Sequence, residues 1–407
     1  MVLSLGLNMK KILILSSRIP YPLIGGDRIR IYNTGKVLSR RYRVDLACIS
    51  EGGVPNGYIK ELKKAFHRID FFSYPRSKFR WNAFKGIFSN EPLQAHYYYF
   101  PEVQNWIDKN FRSYDLIFAH HIRTAKYIEH IDRPKVVDLH DAISMNYLKA
   151  VRKVNGLWRL IYRIENRRVL PYEIKTINCF NRSFIVSDVD RNYFIEHGAD
   201  EEKIITIPVA VKDEVINRSP QTKEKNQIVF LAKMDTLANR DAAIYFAKKV
   251  LPLLKKENKK IRFIIVGARP PKEVLNLGKI EGIKVTGFVK DPYEYLEASK
   301  VVVAPIRFGA GIQNKVLEAM ALGKAVVTTS LGAQGIKGKD GEHFSVADEA
   351  EEMTEKILSL LEGREKRESM GKKARALIEK EYTWGTIGEK FLTEIGQIIQ
   401  KSLVIYK

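Results

Sequence analysis

Short apolar runs alternate with stretches of helical periodicity along most of the chain. Residues 11–17 form a continuous apolar run typical of a buried parallel strand, and a loop rich in Pro and Gly follows it. A helical pattern at residues 31–38 then leads to a second apolar run at residues 42–50. Because a strand, a helix and another strand in this order normally form a right-handed parallel crossover, we predict a parallel sheet.

The same alternation continues to the C-terminal region, with one interruption. Further predicted strands lie at residues 114–121, 135–140 and 182–188, and then at 226–234, 261–268, 284–289, 300–306 and 325–330. Residues 211–226 are polar and are predicted to be a linker. We therefore expect two doubly wound α/β domains, at residues 1–210 and 211–380, and a C-terminal helix at 381–407 that crosses back onto the first domain.

Composition narrows the class of protein. The chain has 407 residues, a length that suits two domains, and its 45% hydrophobic content excludes a wholly disordered protein. The 29% charged content and the lack of an apolar run near 18 residues argue against a membrane-spanning helix. The two cysteines, Cys48 and Cys179, provide neither a disulfide framework nor a metal cluster. The N-terminus has no pattern of a signal peptide, so we expect a domain that starts at Met9 after an eight-residue extension, in a cytoplasmic protein.

The chain is strongly basic, and the charge is uneven. The formal net charge is +22, and residues 1–100 hold 17 basic but only 6 acidic residues. Such an excess attracts nucleic acid, acidic lipid or phosphorylated ligands. A solvated surface rich in Lys and Glu is the alternative that needs no ligand.

The segment at residues 304–329 carries the strongest chemical signal. A predicted strand ends near Pro305, and a loop containing Gly309 and Gly311 opens a helix. Glycines let the backbone approach a ligand, and the free amides at a helix N-terminus bind phosphate. Lys315 adds a positive charge, and Glu318 lies within an apolar stretch, where its carboxylate needs donors such as ribose hydroxyls. An ordinary turn followed by an exposed Glu is the alternative.

The string GAGIQNKVLEAMALGKAVVTT in this segment resembles the nucleotide-sugar signature of family 4 glycosyltransferases. These are retaining enzymes with the two-domain GT-B fold. Four other segments resemble the same family. SRIPYPLIGGDRIRIYN resembles its N-terminal glycine loop, and VVDLHDAIS resembles its segment around the reaction-centre histidine. FLAKMDTLANRDAAIYF resembles the start of its donor domain, and YTWGTIGEKF resembles its terminal crossover helix. The resemblance implies two Rossmann-like domains with a cleft between them, the second of which binds a nucleoside-diphosphate-sugar donor.

The resemblance also assigns donor-binding residues. Glu318 matches the second glutamate of the family's E-x7-E pattern, which holds the ribose, whereas the first glutamate is replaced by Ala310. The donor sugar would then be contacted by main-chain amides and nearby side chains. These are the amides of Gly311, Ile312 and Gln313, with Asn314 and Lys315 beside them.

Cations and glycines outside that segment complete the expected donor site. By resemblance, Lys233 contacts the diphosphate, Arg240 is the nearest candidate for its basic partner, and Phe288 lies in the loop that meets the base. A solvated charge at a helix start is the alternative for Arg240. In the first domain, Gly25 and Gly26 let a loop approach the diphosphate or the sugar, or else form an ordinary tight turn.

His140 and Asp141 are the candidate catalytic residues. His140 ends a predicted strand, where parallel sheets place their sites, and by resemblance it positions the donor sugar. Asp141 orients His140 or acts near the acceptor. We expect no metal and no cofactor, since the histidines lack zinc spacing and Asp188 and Asp190 are predicted helix caps rather than metal ligands.

Residues 76–112 interleave aromatic rings with Lys and Arg. Such a pattern suits stacked bases, a lipid headgroup boundary, or a helix pair that faces the core with a wet basic side. Together with the transferase signature, it favours a membrane surface or a lipid-linked acceptor over nucleic acid.

The sequence therefore predicts a retaining, metal-independent glycosyltransferase that moves a sugar to a glycan or lipid-linked acceptor in the synthesis of cell-surface polysaccharide or glycoconjugate. Association with the inner face of an anionic membrane is one option for its location. The rival hypotheses are a sugar-nucleotide epimerase of the same fold and a non-catalytic basic protein that binds membrane or nucleic acid.

Overall fold

A computed structural model describes residues 9–151, 155–218, 222–309 and 311–405 of the chain. The predicted extension at residues 1–8 and the position of Ala310 lie outside these ranges. The chain divides into two units. Unit 1 comprises the residues up to Pro208 together with those from Ile387 onward, and unit 2 is Val209–Thr386.

Unit 1 is built on a parallel sheet of seven strands. They are β1 (Lys11–Ser16), β2 (Arg43–Glu51), β3 (Arg68–Tyr74), β4 (Leu116–His120), β5 (Lys135–His140), β6 (Arg182–Ile185) and β7 (Ile204–Thr206). Their spatial order is β3-β2-β1-β4-β5-β6-β7. The apolar side chains of β1 and β4 are almost completely buried, as expected of central parallel strands that are covered on both faces.

Helices connect these strands and cover the sheet. They are α1 (Gly26–Leu38), α2 (Asn56–Leu62), α3 (Arg76–Gly86), α4 (Leu93–Tyr97), α5 (Pro101–Asn110), α6 (Ile122–Ala125), α7 (Ile143–Val151), α8 (Gly156–Cys179) and α9 (Asp188–Glu196). Ser187, rather than Asp188 or Asp190, caps α9: its hydroxyl accepts from the backbone N–H of Asp190. The prediction that an aspartate caps this helix is therefore wrong. The side chain that accepts from a free amide belongs to Ser187, the residue before the helix begins.

Unit 2 repeats the design with six parallel strands. They are β8 (Lys225–Leu231), β9 (Arg262–Val266), β10 (Ile283–Val285), β11 (Ser299–Ala304), β12 (Ala325–Thr328) and β13 (Ser345–Val346), in the order β10-β9-β8-β11-β12-β13. Its helices are α10 (Asp213–Ile216), α11 (Leu237–Tyr245), α12 (Leu251–Glu257), α13 (Lys272–Leu275), α14 (Tyr293–Glu297), α15 (Asn314–Ala321), α16 (Ser330–Ala333), α17 (Ala350–Glu362) and α18 (Arg364–Glu381). The segment predicted as a linker thus contains α10 and the first residues of β8.

The last helix, α19 (Trp384–Ile405), contributes to the core of unit 1. Its buried residues Ile387, Phe391 and Ile395 recur every four positions, so they form one seam along the helix. The ring of Phe391 lies 5.2 Å from that of Phe184 in β6 and 6.3 Å from that of Phe118 in β4, measured between centroids. Within the described residues, no helix combines the length and the apolar character needed to cross a membrane.

A buried ion pair connects α1 to β5. Arg30 Nε lies 2.6 Å from Asp138 Oδ2, Arg30 Nη2 lies 3.1 Å from Oδ1, and both side chains are almost fully buried. The remaining guanidinium nitrogen donates to the carbonyl of Pro208 at 3.0 Å, and the guanidinium carbon lies 5.2 Å from the centre of the Phe391 ring. Burial opposes ionisation of Asp138, but the charge and hydrogen bonds of Arg30 hold the pKa of that carboxyl well below its usual range.

We predict that Arg30→Met lowers the free energy of unfolding by about 3–5 kcal/mol, because it leaves the Asp138 carboxylate buried without its partner. Chemical denaturation followed by circular dichroism measures this loss. Arg41→Met is the matched control, since Arg41 pairs with Glu389 on the surface, with both side chains more than half exposed. It is expected to cost less than about 1 kcal/mol. Equal losses for the two variants would contradict the prediction.

Candidate functional site

Each sheet has one point where the chain order reverses. In unit 2 it lies between β8 and β11, and in unit 1 between β1 and β4. Parallel α/β sheets bind ligands outside the carboxyl ends of the strands at such a point. Most of the candidate residues lie where the strands of each sheet end, and this carboxyl-terminal side of a sheet is called its functional edge.

The glycine loop of unit 2 connects β11 to α15. Gly309 has a φ of +135° and Gly311 a φ of +72°, in a region of φ that side-chain-bearing residues rarely adopt. A Cβ at Gly309 would lie 3.9 Å from Ala238 Cβ, at the start of α11, so the loop after β11 faces the loop after β8. Gln313 begins α15 without a side-chain cap among the described residues, which leaves amides at that end to bind an anion.

Glu318 lies on the half-buried face of α15, between buried apolar neighbours. The hydroxyl of Tyr293 in α14 donates to Glu318 Oε1 at 3.2 Å. Burial raises the pKa of the Glu318 carboxyl above its ordinary value, although the charges of Lys212 and Lys315 and the hydroxyl of Tyr293 oppose the shift. The donor expected from the sequence is thus partly supplied by a tyrosine 25 residues away.

Lys315 and Gln313 organise the amino end of α15. Lys315 Nζ donates to Gln313 Oε1 at 2.7 Å, and Gln313 Nε2 donates to the carbonyl of Gly311 at 3.1 Å. Burial lowers the pKa of the Lys315 ammonium to about 8, with Glu318 acting in the opposite direction. The side chains therefore tie the helix to the glycine loop. Ile312 is half-buried against the core of the unit and Asn314 is exposed.

The two predicted diphosphate cations have different surroundings. Lys233 follows β8 with its side chain more than half exposed, and its Nζ lies 3.2 Å from Asp235 Oδ2. Arg240, in α11, donates to Glu273 Oε1 of α13 at 3.0 Å. Both cations are thus paired with a carboxylate, and the Lys233 side chain is the more exposed of the two.

Phe288 also lies at the carboxyl-terminal ends of the strands of unit 2, but farther from the switch point. It follows β10, the edge strand, after Gly287, whose φ is +69°. Its side chain is 80% exposed. An aromatic ring in this position offers a free face for stacking.

The histidines of unit 1 lie at the ends of neighbouring strands. His140 ends β5 with a φ of +70°, and His121 follows β4 with a φ of +73°. Such angles are strained for residues other than glycine and occur preferentially at functional sites. Burial, together with the nearby charge of Arg123, holds the pKa of His121 well below its ordinary value, so this ring is neutral. The buried Nδ1 atoms of His121 and His140 have no hydrogen-bond partner among the described protein atoms, whereas His120 Nδ1 lies 3.7 Å from Asp138 Oδ2.

Two carboxyl groups support the backbone that follows His140 and Asp141. Asp190 Oδ1 accepts from the N–H of Ala142 at 3.4 Å. Glu173 Oε1 accepts from the N–H of Ile143 at 2.9 Å, and Glu173 Oε2 accepts from the Ser144 hydroxyl at 2.5 Å. These bonds fix the start of α7 and therefore the turn that presents His140. No local sequence pattern indicates this role for Glu173, since its partners lie about 30 residues away.

The loop after β1 faces the histidines across a narrow cavity. Gly25 has a φ of +98° and Gly26 begins α1, next to Asp27. Burial disfavours the charge on Asp27, but Arg18, 2.8 Å away, and nearby His120 hold the pKa of that carboxyl below its usual range. His120 and His121 line the cavity with Arg18 and Asp27. The two predicted glycines are therefore brought to the same edge as the histidines.

Within the described ranges, no three His, Cys, Asp or Glu side chains are grouped as a metal site would require. Asp190 is buried, and its Oδ2 lies 2.5 Å from the Ser187 hydroxyl. Asp190 of the Asp-Val-Asp string is thus bonded to Ser187, the residue that caps α9.

Comparison with known proteins finds a family model that matches much of unit 2. Residues 225–363 match the family model described as glycosyl transferases group 1. Over 367 residues the chain is 23% identical to an uncharacterized 44.6 kDa protein in the cps region of Klebsiella pneumoniae, covering 84% of this chain and 88% of that one. The resemblance to glycosyltransferases is confirmed at this level, and the assignment to family 4 stays a prediction.

Solved structures of glycosyltransferases share the fold of the whole chain. Anabaena HepE in complex with UDP superposes with a TM-score of 0.68 at 17% identity, covering 95% of this chain and 100% of that one. A variant of S. aureus TarM, in complex with fondaparinux, alpha-GlcNAc-glycerol and UDP, gives a TM-score of 0.67 at 14% identity, with coverages of 95% and 99%. The predicted fold class, α/β with two doubly wound Rossmann-like domains of the GT-B type, is therefore confirmed.

We predict that Glu173 makes the stability of the protein depend on pH. Burial raises the pKa of the Glu173 carboxyl to about 8, more than the hydrogen bonds from Ser144 and the backbone lower it. The folded protein thus keeps this proton at pH values where the unfolded chain has released it, so the free energy of unfolding falls as the pH rises from about 4.5 to about 8. Glu173→Gln, which cannot ionise, removes this contribution.

Melting temperatures between pH 5 and pH 9 test this prediction. We expect Glu173→Gln to gain stability relative to the wild type as the pH rises. Glu389→Gln, a change on an exposed side chain, should follow the wild-type curve. A constant difference between Glu173→Gln and the wild type at all pH values would show that the pKa is not raised.

Proposed function

We propose that the protein is a retaining, metal-independent glycosyltransferase that uses a nucleoside-diphosphate sugar. The observation that carries the proposal is the position of Glu318. It follows a glycine loop and the amino end of α15 at the switch point of the sheet, within the residues that match glycosyl transferases group 1. UDP in HepE and in TarM, and UDP-glucose in HepE, support a nucleotide-sugar donor.

Each donor group has a counterpart on the edge of unit 2. The ribose hydroxyls donate to the Glu318 oxygen that Tyr293 leaves free. The diphosphate accepts from the amides of Gly311, Ile312 and Gln313 and from the ammonium of Lys233. Phe288 stacks on the base. Main-chain donors and a cation would stabilise the negative charge that develops on the leaving diphosphate.

For the transfer step we propose attack on the face of the sugar from which the diphosphate leaves, as the resemblance to retaining glycosyltransferases implies. The bond between the anomeric carbon and the diphosphate oxygen breaks, and the acceptor hydroxyl forms the new bond on the same face of the sugar. The hydroxyl proton passes to the departing diphosphate oxygen, so the products are the glycoside and the nucleoside diphosphate. His140, held by the turn that Glu173 and Asp190 support, positions the sugar, and Asp141 orients His140 or acts near the acceptor.

We predict that Glu318→Ala weakens UDP binding by about 10- to 100-fold, because a charged acceptor of ribose hydroxyls is lost. Calorimetric titration of UDP measures the affinity, and a thermal-shift panel of UDP, GDP, ADP and dTDP sugars identifies the base. Unchanged UDP affinity in Glu318→Ala, while the wild type binds UDP, would refute the ribose role.

Two variants serve as controls for this experiment. Glu368→Ala removes an exposed carboxylate of α18 that pairs with Arg364 and should leave UDP affinity unchanged. His140→Ala should retain UDP affinity and lose turnover, as expected of a residue that positions the sugar. Turnover of a sugar nucleotide without any acceptor would favour an epimerase instead.

The acceptor side is proposed to contact an anionic membrane through a surface that we call the apolar–basic surface. Four large apolar residues on α3 and just after it are about half exposed or more: Trp81, Phe84, Ile87 and Phe88. The exposed fraction of Phe88 is 85%. At the start of α8, exposed Leu157, Trp158, Leu160 and Ile164 continue the set. Arg168 of α8 donates to the carbonyl of Ile87 at 2.7 Å, which joins the two groups.

The charges of the apolar–basic surface fit an anionic bilayer. Helix α3 carries four basic side chains, Arg76, Lys78, Arg80 and Lys85, and no acidic one, and residues 156–164 carry Arg159 and Arg163 with no acidic residue. Aromatic and aliphatic side chains that enter the headgroup boundary, with cations on lipid phosphate, are the pattern of an interfacial element. Nucleic acid bases stack on aromatic rings, so a nucleic acid would not explain the exposed aliphatic side chains of this surface.

We predict that the protein sediments with vesicles of phosphatidylcholine and phosphatidylglycerol at low salt. The triple change Trp81→Ser, Phe84→Ser and Phe88→Ser should reduce this binding at least about tenfold, because each apolar side chain contributes about 1.5–3 kcal/mol when buried. The double change Leu275→Ser and Ile280→Ser, on exposed residues of unit 2, is the matched control and should bind like the wild type. No sedimentation with anionic vesicles at low salt would remove the membrane from the proposal.

A further inference from the structure

A second, larger cavity of unit 1 adjoins the narrow one beside the histidines. Its volume is about 370 Å³, and it lies where β1 and β2 end, bounded by the loop after β1, residues 49–51 and the first residue of α3. Arg18 and Arg28 line both cavities, so a ligand in the larger one reaches the edge that carries His120 and His121.

Positive charge dominates the wall of this cavity. The lining residues include three arginines, Arg18, Arg28 and Arg76, but only one carboxylate, Glu51. Arg18 is paired with Asp27 at 2.8 Å, and Arg76 Nε lies 3.5 Å from Glu51 Oε2. Arg28, which is half-buried, makes no ion pair with any side chain in the described part of the chain. One guanidinium is thus left for an anion that the protein itself does not provide.

Tyrosines form the rest of the wall. The rings of Tyr21 and Tyr58 meet edge to face, with centroids 5.0 Å apart, and Tyr98, the residue after α4, also lines the cavity. Tyrosine presents a flat apolar face and a polar hydroxyl, which suits a sugar ring with its C–H face and its hydroxyls. The cavity therefore combines a surface for a sugar ring with a cation for an anionic substituent.

We propose that this cavity binds the acceptor, and that the acceptor is a sugar carrying an anionic group, a phosphate or a carboxylate, which Arg28 contacts. The inference rests on the proposed function and specifies its acceptor. Arg18 orients the site through Asp27, and Tyr58 packs against the sugar ring. An acceptor held here presents its hydroxyl toward the histidine edge of unit 1.

Binding of simple probes to UDP-saturated protein tests the proposal. Glucose 6-phosphate, glucuronate and glucose are titrated separately, because saturating UDP prevents the phosphate probe from occupying the nucleotide site. We expect at least one anionic sugar to bind ten times more tightly than glucose or better. Preference for glucose 6-phosphate indicates a phosphate on the acceptor, and preference for glucuronate indicates a carboxylate.

Variants locate the effect at Arg28. Arg28→Ala should abolish the preference for the anionic sugar without changing UDP affinity, and Arg28→Lys should restore part of it. Arg40→Ala, which removes the same charge from an exposed position after α1, should behave like the wild type. If Arg28→Ala and Arg40→Ala lose the preference for the anionic sugar equally, the preference comes from the overall positive charge of the protein and the proposal is overturned.

The same titrations separate this inference from the proposed function. Failure of UDP itself to bind would refute the donor site. Normal UDP binding, with anionic sugars that bind no more tightly than glucose, would overturn only the acceptor inference.

Discussion

The buried contact between Arg30 and Asp138 is the constraint on which unit 1 depends. One guanidinium connects the first helix, the interior of β5, the carbonyl of Pro208 where the chain leaves the unit, and the ring of Phe391 where it returns. A buried carboxylate is tolerated only when its charge is paired and its oxygens are satisfied, and Arg30 does both. Because Asp138 lies two residues before His140, the same pair fixes the strand that carries the candidate catalytic histidine.

Polar residues at the functional edges are held by partners from distant segments. Glu318 is met by Tyr293, and the turn after His140 is held by Glu173 and Asp190. Each partner comes from a different element, so the site geometry is set by the packing of helices on the sheet rather than by the local loop alone. The positive φ of His121 and of His140 is maintained in the same way, since strained backbone persists where its surroundings over-determine it.

The sequence predicted the features that depend on local pattern. Apolar runs placed the central strands, and the glycine loop and Glu318 were located because a carboxylate in an apolar helix needs a donor. Tyr293, Glu173 and Arg28 were not found, because their roles arise from contacts between segments far apart in the chain. The aromatic residues at 76–112 differ in burial, which their composition does not reveal. Tyr98 and Phe100 are buried, whereas Phe84 and Phe88 are exposed. Arg240 likewise carries a charge of the expected sign, and its contact with Glu273 was not predicted because the two residues lie 33 positions apart.

The return of α19 to unit 1 has a consequence for biosynthesis. Unit 2 is one continuous stretch of chain, whereas unit 1 needs the residues after Ile387 to cover Phe118 and Phe184. During translation the second unit can thus complete its sheet while the first still exposes an apolar strip. Unit 1 begins to be synthesised first but is completed after unit 2, and until α19 is available the nascent chain exposes apolar surface that favours aggregation.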